Sequence, residues 1–285
     1  MINVLVTGGN GQLALTIKQL FSSNKDATNF IFKTKAELDI TKKEDLNLFF
    51  NSNQIHYCIN CAAYTNVELA ETNPEQAFQI NSKAVQNLAL ACNATGVILI
   101  HISTDYVFDG NSSTPYIETD IPNPINAYGE SKLEGEKFVS SILNSYFIIR
   151  ASWLYSIYGH NFFKTVIKKI ENKEAMNVVS TQIGTPTSCE ELAKFIYFLI
   201  KTDNQQFGIY HFSPVGQTSW YGFAYYIANF FKSNAVNPVL SYETKAARPN
   251  FSVLNNDKIK HLNFELSKWE KSVDTTIKQY LSAKF

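Results

Sequence analysis

The chain opens Ile2-Asn3-Val4-Leu5-Val6-Thr7-Gly8-Gly9-Asn10-Gly11-Gln12-Leu13-Ala14, and this stretch decides the fold. An apolar, β-branched run ends at Thr7, glycines follow at 8, 9 and 11, and an amphipathic helical pattern starts near Leu13. The glycines fit G-x-G-x-x-A at Gly9, Gly11 and Ala14, and equally G-x-x-G at Gly8 and Gly11. Between a strand and a helix, such a loop turns tightly. It brings backbone amides at a helix N-terminus against a pyrophosphate. The reading is a dinucleotide-binding turn, weighed against a plain glycine turn.

The same rhythm continues outward. Apolar runs at 30–32, 56–62, 97–102 and 146–150 predict strands, and helices are expected around 13–21, 42–51, 74–92 and 128–140. Thr41-x-x-Glu44 predicts a capping box, and Asn73 before Pro74 a cap ahead of an N1 proline. Ala77, Ile80, Ala84, Leu88 and Ala91 recur at the spacing of one buried helix face. Strands that read as continuous apolar runs and alternate with helices imply an α/β fold, a doubly wound, Rossmann-like parallel sheet over 1–150. Beyond Arg150 the rhythm changes: a helix at 162–170, a short strand near Val178, a helix capped by Ser188-x-x-Glu191, and a strand at 210–212. Helices at 220–231 and 269–281 flank the Arg248-Pro249 loop. Residues 178–215 are expected to return to the sheet, and 151–177 with 216–285 to build a smaller C-terminal substrate lid.

Composition narrows the function. A chain of 285 residues suits about two domains, and 45% hydrophobic with 14% aromatic content supports a sizeable core rather than disorder. Twenty-five basic residues balance 25 acidic ones, which argues against nucleic-acid or anionic-membrane partners. Arg150 and Arg248 are the only arginines, so bidentate phosphate clamps are scarce. The longest purely apolar run, 195–200, is too short to span a bilayer, and no signal-peptide pattern opens the chain. A cytoplasmic location with reduced cysteines is expected. Cys58 and Cys61 form a C-x-x-C, but on a strand that spacing points them to opposite faces, so neither a metal nor a redox pair is expected.

The chemistry concentrates in two segments. Tyr128-Gly129-Glu130-Ser131-Lys132 places a phenol and an ammonium at i and i+4 on one helix face. A phenol of pKa about 10 is a poor acid–base group, and a neighbouring Lys is expected to lower it. A surface pair is the bland alternative. The strand at 97–102 runs into Ser103-Thr104-Asp105-Tyr106, and hydroxyls at the carboxyl end of a parallel strand lie where such sheets bind ligands. Thr104 is placed to hold a carbonyl that Tyr128 protonates. The second strand ends at Lys33-Thr34-Lys35 with no acid at its tip, which leans toward NADPH, with NADH the alternative.

With Asp39-Ile40-Thr41, Asn60-Cys61-Ala62-Ala63-Tyr64-Thr65, Arg150-Ala151-Ser152-Trp153-Leu154-Tyr155, Gly184-Thr185-Pro186-Thr187 and Arg248-Pro249, the chain resembles the extended short-chain dehydrogenase/reductase family nearly end to end. The resemblance is to its nucleotide-sugar reductases. It implies a catalytic set of Thr104, Tyr128 and Lys132. It implies cofactor contacts from Gly8, Gly11, Gln12, Leu13, Asp39, Ile40, Ala62, Ala63, Tyr64 and Thr65, with Tyr128 and Lys132. It implies substrate contacts from Thr104, Asp105, Tyr106 and Trp153, and from Arg248 toward a diphosphate. The implied reaction is NADPH-dependent reduction of the 4-keto group of dTDP-4-dehydro-L-rhamnose to dTDP-L-rhamnose, for surface polysaccharide. Alternatives are another nucleotide-sugar 4-ketoreductase, an epimerase, or a non-catalytic NADP-binding regulatory subunit like that of methionine adenosyltransferase. A dehydratase is disfavoured, because its pattern places Asp-Glu after the Thr and this chain has Asp105-Tyr106. Ala14 replaces a third glycine and Glu68 a common Asp. Some members form homodimers through a Mg²⁺ site of glutamates. Thr16 stands at the position of one of them, so a bridging Mg²⁺ is not expected despite Glu190 and Glu191.

Overall fold

A computed structural model describes residues 1–22 and 28–284. Its central sheet holds β1 (Ile2–Thr7), β2 (Thr28–Lys33), β3 (Tyr57–Asn60), β4 (Ile98–Thr104), β5 (Tyr146–Ala151) and β6 (Gly208–Phe212). The order is β2-β1-β3-β4-β5-β6, and every pairing is parallel. Period-two alternation sends Val4 and Val6 into one helical layer, with Leu13, Ile17, Leu192 and Ile196, and Leu5 into the other, with Leu46, Phe50, Leu88 and Val139. Cys58 and Cys61 pack in opposite layers, as their spacing requires. The winding direction reverses between β1 and β3, and the crevice at such a reversal is where doubly wound sheets bind ligands.

Two expected helix starts differ. The Thr41 hydroxyl donates to Asp39 Oδ1 at 2.8 Å, and the helix Lys43–Ser52 begins after Lys42 with no side-chain cap. A carboxylate two residues upstream outcompetes the capping box. Asn73 does precede Pro74 at the helix start, but its side chain caps no amide. The expected single helix over 74–92 is two helices, Pro74–Phe78 and Ala84–Thr95, joined by a π-helical turn at Gln79–Lys83. The Ser188 cap forms, with its hydroxyl accepting from the Glu190 amide at 3.1 Å.

The later chain builds a second core from Tyr155 on the short strand Leu154–Tyr155 and from Phe163, Phe223, Trp269 and Ile277 on the helices Phe162–Glu171, Trp220–Phe230 and Trp269–Ser282. Val178 lies in the strand Met176–Val179, which pairs with Val236–Val239 outside the central sheet. The helix Cys189–Lys201 and β6 belong to the central layers. Among the described residues, no helix is long and apolar enough to cross a membrane.

Candidate active site

The glycine loop is shaped by backbone proximity. Gly8 has φ of +64°, and a Cβ there would sit 2.7 Å from the Ala62 nitrogen, so only glycine fits. Gly11 opens the helix Gln12–Phe21 without a side-chain cap. The helices starting at Ala127, Phe162, Cys189 and Trp220, by contrast, are capped by Asn126, Asn161, Ser188 and Ser219. The Gly11 amide donates to the Gly8 carbonyl at 2.8 Å, and the first-turn amides after it have no side-chain acceptor, as is also so at Lys43–Ser52 and Trp269–Ser282. A cavity of about 280 Å³ lies at the β1–β3 reversal, lined by Gly8, Gly11, Lys35, Asp39, Ile40, Ala62 and Ala63. Lys35 borders it, whereas Lys33 lies over the Phe49 ring at 5.6 Å. Although burial raises the Asp39 carboxyl, hydrogen bonds from Thr41 hold it below the usual value.

The helix Ala127–Ile142 carries the chemistry. Tyr128, Lys132 and Glu136 share one face, and the helix presses close to its neighbours at two glycines: a Cβ on Gly129 or Gly135 would lie 2.2 Å from the Tyr106 or Asn81 carbonyl oxygen. Lys132 is 2% exposed and donates to the Ile102 carbonyl at 2.6 Å. Burial draws its ammonium down to about 8, with Glu136 opposing. Burial likewise pushes the Tyr128 phenol up to about 12; the Thr104 hydroxyl lowers it and Asp105 adds to the rise. The expectation that Lys132 lowers this phenol is thus not met, because burial dominates and the ammonium is engaged by a backbone carbonyl. Thr104 accepts from the Tyr106 amide at 3.1 Å and donates to Asp105 Oδ1 at 3.1 Å. Burial pushes the Asp105 carboxyl up to about 7, against the Ser252 and Thr104 hydroxyls. Beneath the helix, Glu136 accepts from Ser103 Oγ at 2.5 Å and from Arg150 Nη2 at 2.7 Å.

Four cavities adjoin one another, each sharing wall residues with the next. The first shares Asn10, Gly11, Cys61 and Ala63 with a second of about 360 Å³, which also meets Gln12, Leu13, Thr65, Tyr128 and Lys132. A third, of about 270 Å³, shares Gln12, Thr65 and Tyr128 with the second and is bordered by Thr104, Asp105, Tyr106 and Trp153. A fourth, of about 460 Å³, shares Phe162 and Trp220 with the third and reaches Glu68 and Arg248. Arg248 Nη2 lies 2.6 Å from Glu68 Oε1; burial pushes the Tyr106 phenol up, and the Arg248 charge works against that rise. Tyr64 lines none of the four; its amide and carbonyl are bonded to the Asn81 side chain at 2.8 and 2.9 Å.

Sequence reasoning did not single out Asn81, His160, Phe162, Gln182 or Trp220. Asn81 sits in the π turn, and the others come from segments with no motif of their own; a Ser219 cap directly before Trp220 was the readable signal there. Glu190 bonds Lys194 at 2.6 Å and also pairs with Gln279. Among the described residues, no three or more His, Cys, Asp or Glu side chains cluster as a metal site.

Residues 2–282 match the family model for the RmlD substrate binding domain. The chain is 34% identical over 284 residues to dTDP-4-dehydrorhamnose reductase of Sinorhizobium fredii, covering 95% of each protein. It is 35% identical over 289 residues to the enzyme of that name from Aggregatibacter actinomycetemcomitans, covering 96% of this chain and 97% of that one. The crystal structure of dTDP-4-dehydrorhamnose reductase from Bacillus anthracis in complex with NADP matches with a TM-score of 0.93 at 37% identity, over 98% of this chain and 100% of the other. These matches agree with the resemblance carried by the sequence motifs.

Proposed function

The chain belongs to the RmlD substrate binding domain family, and from that membership we propose that it reduces the 4-keto group of dTDP-4-dehydro-L-rhamnose with NADPH, giving dTDP-L-rhamnose. The observation that carries this reading is the place of Tyr128, which borders both the cavity running from the glycine loop and the cavity walled by Trp153 and Trp220. A hydride donor in the first and a ketone in the second would meet beside one phenol.

The residues present fit a dinucleotide. Glycine at position 8 lets the turn pass against the Ala62 backbone where a side chain would clash, the Gly11 helix start has uncapped amides for a pyrophosphate, and Lys35 borders that end. Gly8, Gly11, Gln12, Leu13, Asp39, Ile40, Ala62, Ala63 and Thr65 would hold it, with Lys132 at the nicotinamide end. Tyr64 would act through its backbone, which Asn81 fixes. When bound, NADPH supplies hydride to the keto carbon.

The rest of the work falls to the chain. A phenol raised to about 12 is fully protonated at neutral pH, so Tyr128 is a proton donor and gives its Oη proton to the developing 4-oxyanion. Thr104, which lines the same cavity as Tyr128, holds that oxygen in place. Lys132, its ammonium anchored on the Ile102 carbonyl beside Tyr128, would hold the nicotinamide ribose hydroxyls. Asp105, Tyr106 and Trp153 face the sugar, and Arg248 faces the diphosphate. In this assignment residues 1–150 with the returning strand β6 serve the cofactor, and 151–177 with 216–285 serve the sugar nucleotide.

The test is NADPH oxidation with dTDP-4-dehydro-L-rhamnose made in situ by the two upstream enzymes, against dTDP-4-dehydro-6-deoxy-D-glucose before epimerisation. Rapid oxidation with the epimerised sugar alone, and formation of dTDP-L-rhamnose, is expected. Oxidation with the unepimerised sugar alone would transfer the reading to a sibling 4-ketoreductase. No oxidation by a protein that binds NADPH would sink the substrate assignment.

A further inference from the structure

Trp153 is held more rigidly than a wall residue needs to be. Its φ is +47°, in the left-handed region that bulky residues rarely enter and keep only when their surroundings over-determine it. Hydrogen bonds pin the backbone on both sides: Ser152 Oγ donates to the Thr185 carbonyl at 2.7 Å, and the Thr187 amide donates to the Trp153 carbonyl at 3.2 Å. The ring itself fills a slot. One wall is Gly184, where a Cβ would lie 2.6 Å from Trp153 Cε2 and Cζ2. The other is Trp220, whose ring lies parallel to that of Trp153 at 10° with centroids 3.6 Å apart.

The two walls are built as one unit. Thr218–Ser219 pairs antiparallel with Ile183–Gly184, so the residue before Trp220 is tied to the strand that supplies Gly184. Phe162 braces Trp220 edge-on at 4.8 Å. Trp220 also borders both the cavity holding Tyr128 and Thr104 and the outer cavity holding Arg248.

We propose that Trp220, with Gly184, is a positioning residue that fixes the Trp153 ring as the wall against which the sugar is aligned, and that marks the boundary between the sugar and the diphosphate compartments. This rests on the reading of those two cavities given above. Neither residue touches the reacting atoms; each acts through the orientation of Trp153.

Two indoles stacked in contact couple their transitions, and with skewed transition dipoles the pair gives an exciton couplet in the circular dichroism spectrum, which reports the stack without turnover. The experiment compares wild type, Trp220→Ala, Trp220→Phe and Trp153→Phe by this couplet, by calorimetric Kd for NADPH and for dTDP-L-rhamnose, and by kcat and KM. An offset-stacked aromatic pair contributes up to about a tenfold effect. Trp220→Ala is expected to abolish the couplet, as Trp153→Phe does, and to raise KM and the dTDP-L-rhamnose Kd about tenfold, leaving NADPH affinity unchanged. Trp220→Phe is expected to restore most of the affinity, since one ring still stacks. A couplet that survives in Trp220→Ala would overturn the stack. Loss of the couplet with unchanged KM and Kd would overturn the positioning role. A wild-type protein that shows the couplet yet neither binds nor reduces a dTDP-sugar would overturn the functional reading and this inference with it, a result distinct from the other two.

Discussion

Tyr128 and Asp105 face the same cavity, and burial moves both in the direction that favours their neutral forms. For Tyr128 the neutral form carries the proton to be given, and the raised value makes it a weaker acid than a free phenol. Replacing it with Phe removes the proton but leaves the ring, so kcat should fall roughly 10²- to 10⁴-fold while NADPH affinity stays within a factor of about two; stopped-flow NADPH oxidation with a binding titration checks this. Asp105 yields a stability prediction with a defined sign. Between its ordinary value of 3.8 and its folded value of about 7, the folded protein binds more protons than the unfolded chain, so this group's contribution falls as pH rises through that window. Asp105→Asn keeps the shape and removes the charge. Its Tm should exceed that of wild type at pH 8, and the gap should close as the pH is lowered toward 5, as scanning calorimetry in a pH series would record. The Tyr128–Lys132 spacing was readable in the sequence because i and i+4 must share a helix face. The sign of the phenol's shift was not. It depends on how much water reaches the ring and on Ile102, a strand residue 30 positions upstream, capturing the ammonium.

Helix packing explains what periodicity could and could not show. The apolar spacing from Ala77 to Ala91 correctly marked a buried face, yet the same segment contains the π turn at Gln79–Lys83. That turn places Asn81 so that its side chain bonds the Tyr64 amide and carbonyl and reaches Ser131 Oγ at 3.0 Å. The Asn81 carbonyl meanwhile meets the helix Ala127–Ile142 at Gly135. No local pattern encodes this, because the extra residue in the turn is satisfied by a partner 50 positions away. Gly135→Ala should force the two elements apart, destabilising the fold by about 1–3 kcal/mol, read as a lowered urea midpoint at unchanged m-value. Asn81→Ala should also loosen the Ala63–Thr65 segment and raise the NADPH Kd, which a fluorescence titration would measure; an unchanged Kd would mean the segment holds its shape without the staple.

At the scale of the whole molecule, the parallel sheet was legible because each strand and helix carries its own period, and the glycine loop fixed where the winding starts. The later chain was less so: its core brings together residues as far apart as Phe163, Phe223 and Trp269, and a strand near Val178 pairs with Val236–Val239 rather than with the sheet. One side chain bridges the two regions at the crevice. Gln12, in the first turn after the glycine loop, donates through Nε2 to the Leu154 carbonyl at 3.3 Å and accepts through Oε1 from Asn161 Nδ2 at 3.1 Å and Ser156 Oγ at 3.4 Å. Its backbone belongs to the helix that faces the cofactor, and its amide organises the loop that borders the sugar cavity. Ordering of either side is then shared by the other, which is the condition for two ligands to favour each other's binding. Saturating NADPH should therefore tighten dTDP-L-rhamnose binding severalfold in wild type, and NADPH Kd should improve by the same factor when the sugar nucleotide is saturating, as linkage requires. In Gln12→Ala both factors should fall toward one, on top of the weaker NADPH binding that loss of a residue lining the cofactor cavity brings. An unchanged coupling factor in Gln12→Ala would instead make Gln12 a cofactor contact only, whose bonds to Leu154 and Asn161 carry no communication, and calorimetric titrations in the four ligand states separate the two outcomes.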